Sequence, residues 1–562
     1  MTNSQTKSCS SCSQQFSVTD TDIQFYDKLS PVINGKKFQI PEPELCPDCR
    51  CQLRVSHRNE ANLYHNKSAL SGKQIISLFS SEKPHKVFAE EEWSSDEWDA
   101  MDYGRDFNFN RNFFEQFSEL DLDVPRSNLM TIIGTNENSP YTTGTGYCKN
   151  CHLINSSENC EDCFYSKLVQ TCKNVIDSTY VNDSEIIYEC FSVRNCYSCF
   201  YLSYSQNCTD CYFSENLNAC KDCFLCTNLT QKQYCFMNEQ LTKEEYKKRI
   251  EGFLGSNVNT EKLKNVLKDL SKKRIHKYSN IVACENCSGD FLQNSKNCID
   301  SYDVTDSEDC KYIQVGLGIR DVMDSSNMYI KPELCYYCLG ALEAYNVIFS
   351  IYIFHSSNVM YSQQCYNCEN IFGCSGLRHK KYCIFNKQYT KEEYEVLVPQ
   401  IIEHMQKTGE WGKFFPKEMS PYGYNETLDN DYFPLTREEA LRKGFKWYDG
   451  DSSSAYQGPN YEIPDNIQDV SDDICNAILE CEVMHKSYKI MPQELDFYRK
   501  NKLSIPRRCP DQRHIDRMQA RNPRKLWDRN CSKCNTGIKT TYSPDRFETI
   551  YCETCYKDEV YS

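Results

Sequence analysis

The run Cys148-Lys-Asn-Cys151-His-Leu-Ile154-Asn-Ser-Ser157-Glu-Asn-Cys160-Glu-Asp-Cys163 decides the fold. Every third residue in it is small or apolar. The pattern continues without exception to Leu229, through 28 positions held only by Cys, Ser, Val, Ile or Leu. Within it cysteines recur every 12 residues, at 148, 160, 172, 196, 208 and 220 in one series and at 151, 163, 199, 211 and 223 in the other. A strand alternates faces with period 2 and a helix with period 3.6, so a period of 3 fits neither. It fits a 12-residue coil with four inward positions, each coil stacked about 4.8 Å above the last. The expected fold is mainly β with helical insertions: a central β-solenoid of 12 residues per coil, flanked at both ends by tandem zinc ribbons.

The pattern returns from Ser295 to Met328, slips by one residue, and resumes from Cys335 to Leu377. Both blocks end alike. The segment Lys232-Gln-Tyr-Cys-Phe-Met-Asn-Glu-Gln-Leu-Thr-Lys-Glu-Glu-Tyr246 matches Lys380-Lys-Tyr-Cys-Ile-Phe-Asn-Lys-Gln-Tyr-Thr-Lys-Glu-Glu-Tyr394. Each ending runs into a helix through a capping box, Thr242 to Glu245 and Thr390 to Glu393, as expected of a helix that closes a stack. The period resembles that of the flattened 12-residue solenoids of insect antifreeze proteins, without their threonine ladders. The ladder cysteines have two readings: a thiolate store for soft metals, or small hydrophobes that fill a narrow core. Ser184, Val175 and Ile187 stand in the same ladders and favour filling. Disulfides between coils would need an oxidising environment.

Two pairs of Cys-x2-Cys knuckles predict two structural zinc ions, one on Cys9, Cys12, Cys46 and Cys49, the other on Cys531, Cys534, Cys552 and Cys555. Four thiolates close a tetrahedral site and leave no open position for chemistry. The chain ends are copies of each other. The segment 46–92 lies on 509–555 at an offset of 463 without a gap, so Arg50, Arg54 and Arg58 fall on Arg513, Arg517 and Arg521. Upstream, Gln24-Phe-Tyr-Asp-Lys28 matches Asp496-Phe-Tyr-Arg-Lys500. Each end therefore reads as two ribbons, with one metal set lost in each. Ser68, Ser71, Ala89 and Glu92 replace four cysteines in the first copy. In the second, Cys481 and Cys509 remain beside Met484 and Gln512, where Cys475, His485 and His514 are candidate replacement ligands.

These ribbons and repeats, with Tyr103-Gly-Arg-Asp-Phe107, Phe113-Phe-Glu-Gln-Phe117 and Thr541-Tyr-Ser-Pro-Asp545, resemble a family of Cys-rich zinc-ribbon proteins predicted from genomes of ultra-small, host-associated bacteria. The resemblance spans nearly the whole chain. It implies zinc ribbons and no particular activity.

The expected domains are 1–125 (ribbons with an acidic aromatic arm), 126–240 (first solenoid block), 241–280 (helical cap), 281–390 (second block), 391–465 (cap and linker) and 466–562 (ribbons). Net charge is −15, against bulk nucleic-acid binding. Locally, residues 498–533 hold 12 Lys or Arg against three Asp, interleaved with Tyr498 and Trp527, a nucleic-acid candidate. The arm Glu90-Glu-Glu-Trp-Ser-Ser-Asp-Glu-Trp-Asp99 is its opposite, and the two could pair within or between chains. No 18-residue apolar run and no signal peptide are seen. Thirty-six cysteines without either point to reduced thiols in the cytoplasm. No nucleophile elbow, Walker loop, zincin motif or glycine fingerprint is present, so a non-enzymatic scaffold with a protein partner is expected.

Overall fold

A computed structural model describes residues 4–450 and 461–560. The chain is mainly strand, arranged in long parallel sheets. In the first block each strand pairs in parallel with the segment 12 residues on: Asn155 with Lys167, Val169 with Val181, Val181 with Val193, and Cys211 with Cys223. The second block forms separate sheets of eight and nine strands with the same register. Its register lengthens to 13 where Val322 meets Cys335 and Met328 meets Ala341. The extra residue is absorbed at Ile330 and Lys331, both left-handed, which is the one-residue slip of the sequence.

The period of 3 has a backbone cause. From Tyr147 to Tyr234 every third residue has positive φ, one position before each inward residue. Two extended residues are followed by one left-handed bend, so a 12-residue coil has four corners. A left-handed L-residue costs roughly 1–2 kcal/mol, least for Asn and Asp. Those residues hold many corners, and their amides bond from coil to coil, as Asn195 to Asn207 at 2.7 Å and Asn346 to Asn358 at 2.9 Å. Other corners carry aromatic rings that stack outward: Tyr201 on Phe213 at 4.4 Å, Phe349 on Tyr361 at 5.0 Å.

Inside the coils Cys163, Val169, Val175, Ile187, Cys199 and Cys211 are all fully buried. The inward Ser and Cys also bond the backbone. Ser214 Oγ donates to Tyr212 O at 2.9 Å and accepts the amide of Cys226 at 3.0 Å. Cys190 Sγ does the same with Tyr188 O and Leu202 N, both at 3.3 Å. Ser and Cys therefore satisfy inward-facing amides that Val leaves to the coil geometry, a role beyond filling space.

Helices follow each block, Lys243–Ile250 with Asn257–Lys273 and then Lys391–Thr408. Both capping boxes form, with Thr242 accepting from Glu245 N and Thr390 from Glu393 N.

The two ends of the described chain pack against the parallel sheets. Each pair packs across both blocks. The helix Pro47–Val55 sends Arg50 to Asp324 in the second block (Nε to carboxylate, 2.9 Å), while Pro510–Gln519 sends Arg513 to Asp177 in the first. The contacts are related copies. Tyr26 packs on Tyr336 as Tyr498 packs on Tyr188. Arg58 reaches Ser156 of the first block, and its counterpart Arg521 reaches Asp303 of the second at 2.6 Å. The two blocks also touch sideways, with Tyr204 stacked on Phe291 at 5.7 Å and Arg194 bonded to Gln293. The two blocks therefore lie side by side.

Candidate metal centres

Four knuckle turns share one backbone design. In each, the amide of the first ligand position takes a carbonyl five residues on, and its own carbonyl accepts the amide four residues on: Cys9 with Gln14 and Ser13, Ser68 with Lys73 and Gly72, Cys481 with Lys486 and His485, Cys531 with Thr536 and Asn535. The fifth residue of the turn is left-handed in all four, at Ser13, Gly72, His485 and Asn535. The turn outlives the ligand set.

Two of the four turns carry complete sets. Cys9, Cys12, Cys46 and Cys49 converge, as do Cys531, Cys534, Cys552 and Cys555, with the sulfurs of each set all within 4.8 Å of one another. Cys12 Sγ lies 3.7 Å from Cys46 Sγ, and Cys534 Sγ lies 3.7 Å from Cys552 Sγ. A tetrahedron with metal–sulfur bonds of about 2.3 Å has edges of about 3.8 Å, so both sets fit a zinc-sized ion. The helices Pro47–Val55 and Glu553–Val560 begin at the second knuckles. Burial opposes ionisation of Cys9, yet the amides of Cys46, Cys12 and Ser11 bring its thiol below the ordinary range. The same amide pattern, from Cys534, Cys552 and Lys533, lowers Cys531. A hydrogen bond from Cys49 brings Cys46 down to about 5. The same contact pushes Cys49 up, and burial raises Cys12 and Cys555, so each set holds lowered and raised thiols side by side.

The lost sets differ. In the second N-terminal ribbon Glu92 closes the gap itself. Its carboxylate bonds the Ser68 hydroxyl and accepts the Ala89 amide at 3.1 Å, while Ser68 Oγ accepts Leu70 N at 3.1 Å. Partial burial opposes it, but the hydroxyls of Ser68 and Ser71 and the Ala89 amide hold the Glu92 carboxyl below its usual range. This staple has no signature in the sequence. In the first C-terminal ribbon the candidate replacements turn away. His485 is exposed and bonds Glu480 at 2.8 Å, His514 faces Asp431 at 3.3 Å, and Cys475 sits apart in the turn Asp472–Asn476. The candidate replacement set of Cys481, His485, Cys509 and His514 does not assemble.

All 36 cysteines are free thiols. Among the described residues no group of three or more Cys, His, Asp or Glu donors converges within 4.8 Å outside the two four-cysteine sets, so the ladder thiols form no such cluster. The basic run is partly consumed inside the fold. Arg513 and Arg517 are buried around Asp177, and Arg521 and Arg524 both reach Asp303 at 2.6 Å. Lys500, Lys502, Lys525 and Lys533 stay exposed. The acidic arm does not meet this run within the chain. It lies on the end of the second block, where Asp99 pairs with Lys380 at 2.9 Å and Arg378 lies over Trp93 and Trp98. No helix among the described residues is long and apolar enough to cross a membrane.

No family model and no curated protein matches the chain. Among solved structures, a protein designated an acetyltransferase, from Desulfovibrio desulfuricans G20, aligns over 49% of this chain and 81% of its own at 10% identity and a TM-score of 0.10. A likeness of that size carries no argument about fold or activity.

Proposed function

We propose that the protein is a non-enzymatic zinc-binding scaffold of the reducing cytoplasm that presents a rigid surface to a protein partner. In this reading the two blocks are β-solenoids, and two zinc ions stiffen the ribbons that strap them together. The observation that carries it is the repeated docking of ribbon arginines into buried carboxylates: Arg50 on Asp324, Arg513 on Asp177. Buried ion pairs fix position more than they add stability, which suits a strap that must hold two stacks in one arrangement. Metal analysis of purified protein tests it: two zinc per chain is expected, and many Zn or Cu(I) per chain would favour thiolate storage instead. Small-angle scattering should give a compact particle, since the straps hold the blocks side by side.

Nucleic-acid binding through 498–533 is the second reading, and it now rests on Lys500, Lys502, Lys525 and Lys533. Their joint replacement by Ala should abolish any salt-sensitive retention of the full chain on RNA or DNA. If wild type shows no such retention, the reading falls.

A further inference from the structure

We propose that Cys481, Met484 and Cys509 form a third metal site, built from three sulfurs for a soft monovalent ion, Cu(I). The turn around Cys481 keeps the knuckle geometry of the two complete sites. Met484 N lies 3.5 Å from Cys481 Sγ, and the amides of Cys509 and Val483 also point at that sulfur, the same three positions that serve Cys9 and Cys531. Met484 Sδ lies 3.6 Å from Cys509 Sγ, against 3.7 Å for the matching pairs Cys12–Cys46 and Cys534–Cys552. The thioether therefore occupies the place of the second cysteine, with its sulfur turned into the site. Cys481 and Cys509 are buried and Met484 is half-buried, so an entry side remains.

The fourth position is open. Gln512 stands where the last cysteine belongs, but its amide bonds Asp516 at 2.8 Å. Two thiolates and one neutral thioether are a poor set for zinc, which takes four strong N, S or O donors. They suit Cu(I), which soft sulfur ligands select. The sister ribbon shows what a site without metal becomes: there Ser68 and Glu92 fill the space with hydrogen bonds and no sulfur remains. Here two of the four cysteine sulfurs are kept, a thioether supplies a third sulfur, and Gln512 leaves the fourth position without one.

The test uses the full chain with both four-cysteine sites zinc-loaded, titrated anaerobically with Cu(I) buffered by a chromophoric chelator. The first equivalent is expected to bind with two zinc ions retained and to show three sulfur neighbours by X-ray absorption. Met484→Leu keeps the side-chain volume and the zinc content. It should weaken that first equivalent by more than the roughly 10- to 100-fold typical of losing an outer-shell partner. Displacement of zinc by the first equivalent overturns the proposal, as does unchanged affinity in Met484→Leu. A second variant checks the cradle. Met484→Cys combined with Gln512→Cys rebuilds four thiolates and should raise zinc from two to three per chain. If zinc stays at two, the turn is not a preserved ligand cradle and the proposal fails.

Discussion

Replacing Ser214 by Val tests whether the ladder hydroxyls and thiols do more than fill the coil. Ser214 is fully buried and its ladder partner one coil earlier is Leu202, so an aliphatic side chain fits the space. The substitution removes one hydrogen bond to Tyr212 O, which keeps the amide of Leu225 at 3.1 Å. It leaves the Cys226 amide without its acceptor. A buried donor left unpaired costs about 1–3 kcal/mol and the lost hydroxyl bond about 1 kcal/mol. The added apolar groups return about 1 kcal/mol. The net loss is about 2 kcal/mol, which corresponds to roughly 30-fold faster opening of the coil at Cys226. Ser214→Cys keeps both donor and acceptor, as Cys190 already does in the same ladder. Hydrogen exchange of peptides covering 220–230 should therefore accelerate in Ser214→Val and change little in Ser214→Cys. Equal protection in both variants would refute the hydrogen-bonding role and return these positions to plain filler.

Cys531→Ser or Cys552→Ser should lower zinc from two to one per chain and open the C-terminal ribbon to proteolysis, while residues 148–390 stay resistant; peptide mapping after limited digestion reads both. Cys208→Val should leave zinc content unchanged, since its thiol bonds Gln206 O and the ladder thiols of Cys196 and Cys211, and no knuckle cysteine. Arg513→Ala removes the closer partner of the buried Asp177 carboxylate, leaving Arg517 at 3.7 Å, and should cost about 3 kcal/mol in denaturant unfolding, part of it recovered in the double variant with Asp177→Ala. Burial opposes ionisation of Glu60, but Arg58 and Lys167 hold its carboxyl down at about 2 against an ordinary 4.5. That pairing stabilises fully above pH 4.5 and is lost as pH falls toward 2, an effect of about 3 kcal/mol. The acid branch of the stability profile should flatten in Glu60→Gln.

The coil period was legible because each inward position admits only small or apolar side chains, and the one-residue slip was legible as a break in phase. The left-handed corners were not. Asn150, Asp162, Asn174 and Asn195 hint at them, but Leu153, Tyr201 and Phe213 occupy the same positions, since coil-to-coil bonding and ring stacking override local preference. The two complete metal sets were readable from their spacing alone. Met484 was not, because no spacing rule counts a thioether, and Glu92 was not, because one carboxylate carries no pattern. The docking of Arg50 on Asp324 lay beyond reach for another reason: charge says that a partner exists and gives no address across 274 residues.

That separation sets an order of events during synthesis. When Arg50 leaves the ribosome its partner lies 274 residues downstream. At about 5–20 residues per second Asp324 follows after roughly 15–55 s. The first ribbon must wait through that interval with its guanidinium groups in water. The second ribbon has no such delay, because Asp177 is made long before Arg513. The Arg50 strap can therefore close first, as soon as Asp324 emerges, and the Arg513 strap seats later onto a partner already in place.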